Sequence, residues 1–422
     1  MKKITLTFLL HQPYRLKRYR FFDIGTDHYY YDDFTNEEVL RRVAAQSYFP
    51  ALKMLHDLLK EEPRFSFALS VSGTVLDQLE VYAPEVVHLL RQMAQTNRVE
   101  FLAEPLAHSA VSLYDPEEFA NQLRMHSLKI EGLFGQKPQV VCNTELLYND
   151  EIAALLEEKG FKGIFTEPAK HIMGWKSGRY CYTTPSGNAT LLLRDGFLCD
   201  TIEGNFGRYS WEQYPYTADK LFDTLSHEVP QDGVANLMFN LEVMGTIWAR
   251  ETGIFDFFRA FPALAAAQDL AFVTPSQAIQ ILPKKGALEV LFPISKFGEE
   301  KSAAMWTGNV LQQSAIDKLK EWGPRIRLSG DLRLLQDWIY LQSIDHLFYM
   351  STLRGGAGSF SPFATPYLAF SNYMNILSDF FLRVEAEFPS TIENEELKAL
   401  VETIRNQDEV IAHLQDELRL KQ

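Results

Sequence analysis

Seven short apolar runs, at residues 4–10, 65–70, 99–102, 139–142, 163–165, 190–193 and 235–239, alternate with longer amphipathic stretches over the first 280 residues. Helices are expected between them at 36–59, 84–94, 116–133, 150–159 and 218–227, with another at 253–267. Thr35, Asp115 and Asn149 mark helix starts, because their side chains can accept the orphan N–H bonds of a first turn. Such alternation favours a parallel sheet covered by helices, since a parallel neighbour is reached only through a long crossover. About seven repeats point to closure into a barrel, with an open doubly wound sheet as the structural alternative. No glycine-rich phosphate loop follows any of these strands, which argues against nucleotide chemistry and leaves no cofactor to expect.

The texture changes after Pro283-Lys284-Lys285-Gly286, expected to be a connection. Helical patterns at 336–350 and 367–385 and a last segment from 394 follow, so the division expected is a barrel over 1–282 and a mainly helical domain over 283–422. In the terminal amphipathic helix (394–420), Leu397, Leu400, Ile404, Ile411, Leu414 and Leu418 take heptad a/d spacing, with Gln407 the polar exception. That helix either packs on its own domain or forms a homo-oligomer contact.

A net charge of -14 argues against a nucleic-acid or anionic-membrane partner. It is indifferent to a neutral sugar. The 30 Phe, 18 Tyr and 6 Trp mostly supply core, with some available as stacking platforms. No run approaches the ~20 apolar residues of a membrane span. The first apolar run ends in His11-Gln12-Pro13 without a small-residue cleavage site, so it reads as a strand rather than a signal peptide. Cys142, Cys181 and Cys199 show no metal-ligand spacing, and their sparse, odd count suits a reducing compartment; the cytoplasm is expected.

Parallel barrels carry working residues at the carboxyl ends of their strands. Here those ends read His11-Gln12-Pro13, then Glu104 to His108-Ser109, then Asn143-Thr144-Glu145, then Asn240-Leu241-Glu242. Taken singly, each has a bland reading. A lone histidine is more often structural, Asn143-Thr144-Glu145 doubles as a helix cap, and Glu242 serves equally as a salt-bridge partner.

Their order and wording resemble the sequence regions of glycoside hydrolase family 57, in its α-amylase and α-amylase-like branch. The likeness runs through His11-Gln12-Pro13, Arg98-Val99-Glu100-Phe101-Leu102 to His108, Asn143-Thr144-Glu145-Leu146-Leu147-Tyr148 and Phe239-Asn240-Leu241-Glu242-Val243-Met244-Gly245. It ends at Leu341-Gln342-Ser343-Ile344-Asp345-His346, and Leu198-Cys199-Asp200-Thr201-Ile202 is similar to a further stretch of the amylase branch. The resemblance implies a (β/α)7 barrel followed by a helical domain, acting on α-glucans with retention of configuration. Glu145 matches the nucleophile. His11, His108, Glu242 and Asp345 match polar positions around the cleft.

The family string Asp-x-Glu-x-Phe-Gly reads Asn240-Leu241-Glu242-Val243-Met244-Gly245 here, so Asn240 stands where the acid/base Asp belongs. An amide has no proton to give at neutral pH. Three readings stay open: another carboxylate such as Glu242 or Asp200 supplies the proton; the protein binds malto-oligosaccharide, starch or glycogen without cutting it; or related zinc chemistry is used. The histidines show none of the clustered spacing that zinc requires, so no metal is expected. Tyr30, in the aromatic loop after the first strand, and Trp175, in a loop after the fifth, are candidate sugar platforms.

Overall fold

The structure, a computed structural model, describes residues 2–328, 330–353, 358, 361–387 and 407. The segment 394–420 expected as a terminal helix lies outside them apart from Gln407. The strand β1 (Lys2–Leu10) is buried on both sides, with Ile4, Leu6, Phe8 and Leu10 facing an apolar core rich in phenylalanine and Thr5 and Thr7 on the opposite face. It pairs in parallel along one edge with β8 (Val234–Asn240). Along the other edge β2 (Phe67–Val71) takes Thr7–Leu10, while the short β9 (Leu270–Phe272) takes Lys2–Ile4. β3 (Val99–Phe101) pairs in parallel with β2.

A second sheet runs β10-β6-β7-β5-β4, with β4 (Val140–Val141), β5 (Gly163–Thr166) and β7 (Thr190–Leu193) parallel to one another. β6 (Cys181–Thr183) is antiparallel to β7, and β10 (Lys284–Ala287) is parallel to β6. The two sheets meet at two single parallel bridges, Ala103 with Val141 and Arg194 with Asn236. All seven expected strands are therefore present. β6, β9 and β10 were not expected, and the expected connection at 283–286 holds most of β10.

Helix Pro116–Phe134 starts at Asp115, whose carboxylate accepts the Glu118 N–H at 3.0 Å, and ends at the left-handed Gly135. Asn149 caps Asp150–Glu158 in the same way. Thr35 is not a cap. Asp32 fills that role by accepting the Thr35 N–H at 3.0 Å, and the helix begins at Asp33. Helix Gly73–Tyr82, capped by Ser72, was not among the expected helices.

The helix expected over 36–59 is instead Asp33–Val43, a wider π turn at Ala44–Tyr48, and Phe49–Glu61. Pro50 explains the interruption: it has no N–H for the Gln46 carbonyl, and its ring crowds that oxygen. The turn has a use. Ser47 Oγ donates to the Leu241 carbonyl at 3.0 Å and the Tyr48 hydroxyl donates to Glu242, so a proline in one helix fixes the segment that leaves β8.

After β10 the described elements are the helices Ala304–Thr307, Val310–Arg327, Leu332–Leu341, Ile344–Tyr349 and Pro366–Glu387. They share an apolar cluster with Tyr19, Tyr30 and Tyr31 from the loop after β1. This packing carries Asp345 to the carboxyl end of β1.

Candidate active site

The ends of β1, β4 and β8 and the loop after β3 open on one cavity of ≈ 570 Å³ lined by His11, His108, Glu145, Asn240, Glu242 and Asp345, among others. Six expected site residues thus share one cleft. Glu145 lies in a short turn just beyond β4 with φ 51°, and Leu146 follows at φ 56°. Two consecutive left-handed residues that are not glycine cost about 1–2 kcal/mol each, so the surroundings must hold them. Asn143 Nδ2 donates to the Leu147 carbonyl at 2.7 Å, and the Lys296 N–H donates to the Glu145 carbonyl at 2.9 Å.

The Glu145 carboxylate meets two cationic groups. Lys296 Nζ lies 3.1 Å from Oε2 and His108 Nε2 lies 3.4 Å from Oε1. Burial opposes the charged carboxylate, but the Lys296 ammonium and the His108 ring outweigh it and hold the Glu145 pKa down at about 2. The anion is therefore present at any working pH.

His108 also contacts Glu104 Oε2 through Nδ1 at 3.1 Å. Burial disfavours its positive charge, yet the bonds to Glu104 and Glu145 prevail and raise its pKa to about 9. Both ring nitrogens then donate. His11 stacks on His108 with centroids 4.1 Å apart, and burial together with that neighbouring charge lowers its pKa. Its Nε2 faces Asp345 Oδ2 at 2.9 Å and its Nδ1 faces Ser72 Oγ at 2.8 Å. A carboxylate only accepts, so neutral His11 carries its proton on Nε2 and accepts from Ser72.

This arrangement sets a pH dependence. A histidine whose folded pKa exceeds its unfolded value of about 6.5 stabilises fully below 6.5 and loses that contribution as pH rises through about 9. Urea unfolding should therefore show stability falling between pH 6.5 and 9, by up to about 3 kcal/mol. His108→Gln should flatten that slope; an unchanged slope in the variant would assign it to another group.

Glu242 is held by the Tyr48 hydroxyl and by Gln12 Nε2, 3.3 Å away, and burial raises its pKa. The Asn240 side chain lines the cavity, and its backbone N–H donates to Glu203 Oε1 at 2.7 Å. Trp306, Phe348 and Tyr349 supply aromatic wall on the side of the helices.

Three expected site residues stand elsewhere. Tyr30 is fully buried, its hydroxyl donates to Asp379 at 2.7 Å, and the Arg383 guanidinium lies 5.6 Å from its ring; no face is left for a sugar. Trp175 is 94% exposed, in a loop beside a different cleft. Asp200 is 55% exposed and pairs with Arg194 at 2.6 Å and Lys301 at 3.7 Å. The sequence reading missed Lys296, Tyr48, Ser72 and Glu203. Lys296 gives no local signal, being a lone lysine in an irregular segment 151 residues after its partner. Among the described residues no group of three His, Cys, Asp or Glu is placed to hold a metal.

A mostly parallel α/β fold thus carries at its strand ends a cleft with a half-buried carboxylate paired to Lys296 and His108. The sequence profile described as Glycosyl hydrolase family 57 matches residues 5–291, and the chain belongs to that family. A Methanocaldococcus jannaschii protein described as "Putative alpha-amylase" is 35% identical over 399 residues, covering 89% of this chain and 84% of the relative. The fold is similar to that of a GH57 branching enzyme from Thermococcus kodakaraensis, with TM-score 0.68, 16% identity and 95% and 93% of the two chains covered. It is also similar to that of 4-alpha-glucanotransferase from Thermococcus litoralis, with TM-score 0.67 and 15% identity. That match covers 90% of this chain, which spans 59% of the glucanotransferase.

Proposed function

We propose that this protein acts on α-glucans with retention of configuration, Glu145 being the nucleophile and Asn240 standing at the position of the acid/base. One observation carries the reading: Glu145 is kept ionised in an open cleft by Lys296 and His108. Retention needs a carboxylate that attacks the anomeric carbon and a second group roughly 5 Å away that protonates the leaving oxygen. The carboxylates of Glu242 and Asp345 offer acceptors to sugar hydroxyls, and Phe297 and Phe348 offer apolar faces to the rings. The two bridges that join the sheets support an incomplete (β/α)7 barrel, whose second sheet extends through β10 beyond the expected boundary at 282, with the described helices from Ala304 to Glu387 as a second domain. No helix among the described residues is long and apolar enough to cross a membrane. The three buried free cysteines fit the cytoplasm.

Asn240 favours a second reading, an α-glucan-binding protein without turnover. Proton NMR of an aryl α-maltoside with a good leaving group separates the two, because such a substrate needs little protonation. Release of α-maltose as the first product is expected. β-Maltose first would remove the retaining mechanism. No release, with maltoheptaose still bound in calorimetry, would establish the binding role.

A further inference from the structure

Asn240 cannot donate a proton, so a retaining reaction in this cleft requires a carboxyl from elsewhere. The helix Gly196–Asn205 ends at the mouth of β8, where Trp248 Nε1 donates to the carbonyls of Ile202 and Glu203 at 3.1 Å each. That anchoring brings the Glu203 side chain over the last residue of β8. Its Oε1 accepts the Asn240 N–H at 2.7 Å, so the carboxyl is tied to the residue that replaces the acid. The side chain is 19% exposed, neither sealed in the core nor free in solvent. Asp200 and Glu242 are the other carboxyls that act on Glu203. Asp200 is half exposed and bound to Arg194, and Glu242 receives the Tyr48 hydroxyl and the Gln12 amide on one oxygen. Burial raises the pKa of both Glu242 and Glu203, but Glu242 accepts two such hydrogen bonds, each favouring the carboxylate, where Glu203 accepts the Asn240 N–H.

We propose that Glu203 supplies the acid/base function absent from Asn240. The inference rests on the reading of Glu145 as nucleophile. Protonated Glu203 gives its proton to the glycosidic oxygen as the bond from C1 to that oxygen breaks and a bond from C1 to a Glu145 oxygen forms. The Glu203 carboxylate then takes a proton from water, whose oxygen bonds to C1 as the Glu145 ester bond breaks. Both carboxyls return to their starting states, and one water has been consumed.

The electrostatics agree with these roles. The charged groups acting on Glu203 include Arg194, 4.0 Å from Oε2, then Lys296 and Asp200, and Glu203 and Glu242 also act on each other. Burial raises its pKa more than Arg194, Lys296 and the Asn240 N–H lower it. Lys296 acts on Glu145 and Glu203 alike, yet the contact at 3.1 Å keeps Glu145 ionised. Two carboxyls with pKa values driven apart are what an acid and a nucleophile need.

The test measures wild type, Glu203→Gln and Glu145→Gln on maltoheptaose and on dinitrophenyl α-maltoside. Gln keeps an acceptor for the Asn240 N–H, and calorimetry with maltoheptaose verifies that the cleft is intact. Glu203→Gln should lower maltoheptaose turnover about 10²–10⁴-fold, while the initial burst of dinitrophenol stays near that of wild type. Azide should restore turnover, giving α-maltosyl azide, and the basic limb of the pH profile should vanish. Adding Asn240→Asp to Glu203→Gln should recover maltoheptaose cleavage. Wild-type turnover of maltoheptaose by Glu203→Gln would overturn the assignment. So would equal losses on both substrates without azide rescue. If Glu145→Gln is inactive in that case, the nucleophile stands and only Glu203 falls. If wild type cleaves neither substrate, or Glu145→Gln retains activity, the retaining reading and this inference fall together.

Discussion

Glu145→Gln is expected to reduce release of the aryl group from an activated α-maltoside by about 10⁴-fold or more, on the scale of losses when a covalent nucleophile is removed. The amide keeps the shape of the side chain but brings no anion to the anomeric carbon. An activated substrate is the right probe, because its leaving group departs without a proton and isolates attack by Glu145 from the chemistry at Asn240 and Glu203. Mass spectrometry with a fluorinated maltosyl fluoride gives a second readout: wild type should carry a glycosyl adduct on the peptide containing Glu145, and the variant none. An adduct on another carboxylate, or activity that survives in the variant, would remove Glu145 from the mechanism.

The largest effect on stability is expected at Gly245. Its φ is 107°, and a Cβ there would fall inside the van der Waals shell of the Gln46 carbonyl oxygen, backbone that cannot step aside. Pro50 frees that carbonyl from helical bonding, and the chain leaving β8 passes directly over it. Gly245→Ala should cost about 3 kcal/mol or more in urea unfolding. Gly253→Ala is the comparison, since Gly253 also has a positive φ (83°) but nothing within 4 Å of its Cβ position. It should cost only about 1 kcal/mol, the backbone strain alone. Equal effects would show that the Gly245 contact relaxes freely. A large loss at Gly245 should also lower sugar affinity, because the same segment positions Glu242 and Asn240.

The interruption at Pro50 illustrates where sequence patterns stop. Apolar spacing over 36–59 reads as one helix, and the proline signals a break without saying what the freed carbonyl will meet. Only the fold shows Gly245 against it, and Ser47 and Tyr48 turned to hold the end of β8. Tyr30 makes the converse point. An aromatic and acidic loop on the active-site side of a barrel suggests a sugar platform, but helix Pro366–Glu387 supplies Asp379 and Arg383 and buries the ring.

By itself, the sequence determined the seven main strands, most of the helices between them and the polar residues that follow strand ends. These depend on periodicity and capping within a few residues, which the chain displays locally. The proposal that Asn240 stands at the position of the acid likewise comes from the sequence. The tertiary structure decided which of those residues share a cleft, that Lys296 and His108 keep Glu145 ionised, and that Glu203 reaches Asn240. Lys296 and Glu145 are far apart in the chain, and an ion pair at 3.1 Å depends on packing that leaves no trace in the spacing of either residue.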